Sequence, residues 1–161
     1  MAPVQPKRQA GTMSRQSLRP WAVRAIYVSI AAHLLVGALL PLIANAALFD
    51  GYHRAIETAF WGADVPAAAR AHQVWWISLF GPTVQAAAVW MGALAWIGSR
   101  QRSAAAWGAL IAGIVLWAPQ DIWISLRMGV WAHVWIDLFA LACMLPPLVY
   151  LFLVDRVRKT P

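Results

Sequence analysis

Four stretches of this chain, residues 25–49, 74–98, 104–128 and 130–154, are nearly free of charge. Between them they hold only Asp121, Arg127 and Asp137. Each is about 25 residues long, roughly 37 Å as a helix, and a bilayer's hydrocarbon core is about 30 Å thick. Backbone in hydrocarbon must satisfy its own hydrogen bonds, so such stretches cross as helices. The expected fold is an all-α membrane protein, a bundle of four transmembrane helices. Composition agrees: 61% of residues are hydrophobic and 12% charged, against about 45–50% and about 25% in soluble domains.

The positive charges set a direction. Five lie before the first span (Lys7, Arg8, Arg15, Arg19, Arg24), two in the 99–103 loop and three after the last span (Arg156, Arg158, Lys159). Only Arg54, Arg70 and Arg127 belong to the other side. The positive-inside rule then predicts both termini in the cytoplasm, N-in and C-in, with residues 1–24 and 155–161 as basic tails. In a bacterium the membrane is the inner (plasma) membrane. The net charge of +7 reads as this topology signal and as contact with the lipid bilayer, not as a nucleic-acid face. Cys143 is the only cysteine, which excludes an internal disulfide and a thiolate cluster.

Two features complicate the first half. A basic start, an apolar stretch and Ala44-Asn45-Ala46 form the outline of a cleavable secretory signal, against which stand the stretch's length, His33 and Pro41. His33 is expected to hydrogen-bond a neighbouring helix, with haem ligation as the rival. The 50–73 loop is the longest. Tyr52, Ile56, Ala59, Phe60 and Trp61 predict the apolar stripe of a short interfacial helix, ended by Gly62. Ala86, Ala87, Ala88, Gly92, Ala93, Gly108, Ala112 and Gly113 predict close helix packing.

Ionisable groups inside spans are expensive, and here they cluster toward one side. Asp121 and Asp137 each lie eight residues from Gly129, and Ser125 and His133 four. A hairpin turning at Gly129 would set the two carboxylates at the same depth, with His133 one turn from Asp137. Close carboxylates in a dry place share a proton, which suits acid/base work and makes Asp121, Asp137 and His133 the candidate catalytic residues. The structural alternative is that Arg127 or a Trp indole fixes the hairpin through the same aspartates. Trp117, Trp123, Trp131 and Trp135, with Gln120 and Asn45, are candidate walls of an apolar ligand pocket, or else a plain aromatic belt. For a metal such as Zn or Fe, His53 and Glu57 share a helical face, with His72 nearby as a further ligand; His133 and Asp137 form a second pair.

Dinucleotide-binding, phosphate-loop, nucleophile-elbow and HExxH patterns are absent from the sequence. The reading placed first is an accessory or assembly subunit that meets other membrane subunits or itself. A membrane enzyme or lipid-handling protein using the paired aspartates comes second. A metal or haem protein comes third, and no cofactor is specified.

Overall fold

The computed structural model describes residues 18–157. Helix α1 covers Arg19–Ile43, and a 3-10 turn at Ala47–Phe49 leads into the short helix α2, Asp50–Trp61. Three long helices follow: α3, Ala69–Gln101; α4, Ala104–Arg127; and α5, Trp131–Val157. The described residues contain no strand. The four long helices are long and apolar enough to cross a membrane.

The local sequence explains where these helices start and stop. Pro20 sits in the first turn of α1, where its missing N–H costs nothing. Gly62 ends α2 with φ +60°, and Gly129 separates α4 from α5 with φ +71°; both conformations suit glycine. Ser103 caps α4 by accepting from the Ala106 amide. Pro41, Pro82, Pro119, Pro146 and Pro147 all lie inside helices, which packed spans tolerate. Several ends differ from the sequence expectation. The chain is helical from Arg19, so residues 19–24 belong to α1 and not to a tail. α3 starts at Ala69 and is about 50 Å long. α5 reaches Val157, so Asp155 is part of the bundle. The rest of both expected tails lies outside the described residues.

The helices form a ring in which α1 touches α3 and α5, and α4 touches the same two. The apolar core sits toward the end carrying the termini, around Ile26, Ile30, Ala88, Ala95, Trp107, Leu110, Met144, Leu148 and Leu151. Large apolar side chains such as Leu42, Trp90 and Phe139 point outward, where lipid is the natural neighbour. The closest backbone approach joins α1 to α3. A Cβ on Gly81 would stand 2.6 Å from the Gly37 carbonyl oxygen and from the Pro41 ring. Of the small residues singled out above, Ala88 is fully buried, while Gly113 faces open space.

A buried carboxylate locks the terminal end. Asp155 is fully buried. It accepts from Arg19 Nε and NH2 at 3.0 and 2.9 Å and from the Trp107 indole at 2.9 Å. Arg102 stands 3.8 Å away. The Arg19 guanidinium also reaches the Gly98 and Ser99 carbonyls. One carboxylate therefore ties α1, α4 and α5 together, and its arginine ties in α3. Truncating one partner of such a pair strands the other charge, at a cost of roughly 3–5 kcal/mol. Asp155→Ala is expected to lose that much stability in detergent. Joint replacement of Arg19 and Asp155 by leucine should recover most of it. Thermal unfolding of the two single variants and the double variant checks this, and a double loss equal to the sum of the single losses would show that the pair is not coupled.

Candidate functional site

The opposite end of the bundle carries the second polar group. Asp121 lies on α4, and His133 and Asp137 on α5, one turn apart. The turn at Gly129 brings the helices back against each other, so His133 sits between the two carboxylates. His133 Nε2 is 3.4 Å from Asp121 Oδ1 and 3.8 Å from Asp137 Oδ1. One ligating atom from each residue lies within 4.8 Å of the other two. Asp137 is 2% exposed, and its Oδ2 is buried without a hydrogen-bond partner. Asp121 Oδ2 accepts from the Trp117 indole at 2.9 Å.

The fourth member comes from α2. Tyr52 Oη lies 2.8 Å from His133 Nδ1, so the imidazole is held by its far nitrogen while Nε2 faces the carboxylates. Burial, and then the charges of Asp121 and Asp137, push the Tyr52 phenol up to about 12. It is a neutral hydrogen-bonding group at physiological pH. Sequence reasoning had placed Tyr52 in an apolar stripe. The missed signal is that this hydroxyl stands on the one polar segment that can reach the His133 end of the hairpin.

A separate network docks α2. Arg70 at the start of α3 grips Glu57 through Nε at 2.8 Å and NH2 at 3.2 Å, and Asp50 through NH1 at 2.9 Å. His53 is fully buried. Its Nε2 donates to the Ala44 carbonyl at 2.8 Å, and its Nδ1 meets Gln73 Oε1 at 2.9 Å.

These contacts decide where the predicted residues stand. Asp121, His133 and Asp137 come together as the hairpin spacing suggested, although Asp121 meets His133 and not Ser125's level. The alternative set His53, Glu57 and His72 does not assemble. His53 is spent on Ala44 and Gln73, Glu57 on Arg70, and His72 accepts from the Trp76 indole at 2.9 Å. Among the described residues, Asp121, His133 and Asp137 are the one group with metal-binding proximity. The Trp pocket does not form either. Trp117, Trp123, Trp131 and Trp135 are exposed at 44%, 57%, 59% and 66%, as an aromatic belt would be. Arg127 lies over the Trp123 ring at 4.9 Å and does not serve the aspartates. Gln120 donates to the Leu116 carbonyl of its own helix. Asn45 lines a shallow surface cleft with Arg70 and Trp75. His33 Nδ1 donates to the Ser29 carbonyl one turn back, not to a neighbouring helix.

The docking network has a pH signature. Hydrogen bonding from Arg70 holds the Glu57 carboxyl below its usual value. A lowered folded-state value contributes stability above the ordinary range, and that stability is lost as pH falls through it. Amide protection of residues 50–61, corrected for intrinsic exchange, is expected to hold from neutral pH down to the usual glutamate value of 4.5 and to fall below it. Glu57→Gln should lower protection at neutral pH. Protection that ignores both changes would show that the latch is not ionic.

No protein-family model, no curated protein and no solved structure matches this chain.

Proposed function

We propose that this is an integral membrane protein that binds one divalent transition-metal ion through Asp121, His133 and Asp137. The observation that carries the reading is the contrast between its two buried aspartates. Asp155 is met by arginine and indole donors. Asp137 is as deeply buried, lies beside a second carboxylate, and has one oxygen unmatched. Ions at about 2.1 Å from tetrahedral ligands set those ligands roughly 3.4 Å apart. The 3.4 and 3.8 Å separations here need little closure. Tyr52 supplies the outer hydrogen bond that fixes a ligating imidazole.

One nitrogen and two carboxylate oxygens suit Zn, Fe or Mn more than a soft ion. Three protein ligands leave an open position, where a bound ion acidifies water or polarises a carbonyl. Both termini face the cytoplasm in this reading, and α2 lies at the outer interface over the site, as the distribution of Lys and Arg supports. α1 is a retained span. Its Arg19 and Gly37, and Ala44 at its C-cap, take part in the ion pair, the close crossing and the His53 contact. An accessory role is the second reading: of the eight small residues singled out in the sequence only Ala88 is buried, and Ala86, Ala93, Ala112 and Gly113 stay exposed, where a partner helix could pack.

Two measurements test this. Chain stripped with chelator in mild detergent and given Zn or Co should bind about one equivalent, in an intact mass that includes residues 1–46. His133→Ala and Asp137→Asn should abolish binding, Tyr52→Phe should weaken it roughly 10- to 100-fold, and His72→Ala should leave it unchanged. A well-folded chain that binds no ion, or a His133→Ala variant that still does, overturns the site. Reporters fused to the C-terminus are expected to read cytoplasmic; a reporter active only outside would reverse the orientation.

A further inference from the structure

The seam between α4 and α5 continues below the polar group as a groove without polar lining. Its volume is about 350 Å³, and its walls include Ile114, Val115, Ala118 and Ile122 on α4 and Leu141 and Leu145 on α5. The helical repeat places this groove directly under the site. Leu141 and Leu145 follow Asp137 at one and two turns, and Ala118 and Ile114 precede Asp121 on the same side of α4. The seam thus changes from carboxylate and imidazole to pure hydrocarbon within about one turn, or about 6 Å.

From this we infer that the site takes a single-chain amphiphile with an oxyanion head, a long-chain carboxylate, its head on the ion and its alkyl chain in the groove. The inference rests on the metal reading above. Without an ion the two carboxylates would repel such a head. With a divalent ion they are neutralised, and the open position accepts an oxygen ligand. Hydrocarbon chains run along the helices in a bilayer, which is also the direction of the groove. The wide lipid-facing exposure of Val115, at 58%, lets a chain enter sideways from the membrane. A water-soluble acid of the same head chemistry gains nothing from the groove, so chain length is the discriminating variable.

The test uses the full chain in lipid nanodiscs, loaded with Co as a visible reporter of the ligand field. Acetate and dodecanoate are titrated against its absorption band. Dodecanoate is expected to change the band at total concentrations roughly tenfold or more below acetate, because withdrawing even a few methylenes from water is worth that factor whether the chain rests in the disc or in the groove. Val115→Phe and Leu145→Phe each fill the groove. They should keep the Co spectrum and cut the advantage of dodecanoate, and the part that is lost separates groove binding from simple partitioning into the disc. Failure of Co to bind at all removes the metal reading, and the slot with it. A normal Co spectrum with equal acetate and dodecanoate responses, or a dodecanoate advantage undiminished in both Phe variants, overturns the slot alone and leaves the ion site standing. Dodecylammonium binding to the metal-free chain would also overturn it, by showing that the carboxylates recruit a cation directly.

Discussion

The ion pair between Arg19 and Asp155 is the contact on which the bundle's geometry depends. A fully buried carboxylate in a lipid-facing protein has no water to fall back on. Here it is answered by Arg19 of α1, the Trp107 indole of α4 and the nearby Arg102. Because Arg19 also holds the last carbonyls of α3, every long helix is referred to one point. The apolar core around Trp107 and Leu148 builds outward from it. With this end closed by charge pairing and packing, polar groups at the other end are free to serve something besides cohesion.

That division gives meaning to the second buried aspartate. A membrane protein selected only for stability has every reason to treat Asp137 as it treats Asp155, with an arginine within reach. Arg127 is close in sequence, yet it lies over Trp123. The partner Asp137 does have is a histidine held from behind by a tyrosine. Imidazole is a far weaker counter-charge than guanidinium, and one oxygen stays unmatched. The arrangement is costly as packing, and that cost is what supports the proposed ion site.

Much of the architecture was legible in the sequence, because four stretches of spanning length with only three charged residues among them leave few alternatives. The matching depth of Asp121 and Asp137 and the shared face of His133 and Asp137 were legible too, but the helix rotation that brings His133 to Asp121, and not to Ser125, was not. What escaped were contacts across long sequence separations. Asp155 sits beside three basic residues and looks like a tail; only the arrival of α1 makes it a core residue. Tyr52 counts as apolar in an amphipathic stripe until its hydroxyl is seen against α5. The His53, Glu57 and His72 set failed for the opposite reason. A shared helical face says that residues can meet, and it is silent about Arg70 and Gln73, which claim them first.

The origin of Tyr52 links the site to α2 itself. Tyr52 and His53 are neighbours, and Glu57 lies just over one turn on, so a single short helix presents its phenol to the site and its other polar face to α3. α2 has little apolar burial of its own; His53 is its one fully enclosed side chain. Its place is therefore set by a handful of polar contacts and not by an apolar face, and few buried apolar contacts are the mark of segments that open before the whole molecule unfolds. Displacing α2 would take away the hydrogen bond that orients His133. Orientation of the imidazole is thus tied, through one short helix, to the Arg70 and His53 contacts at its far side.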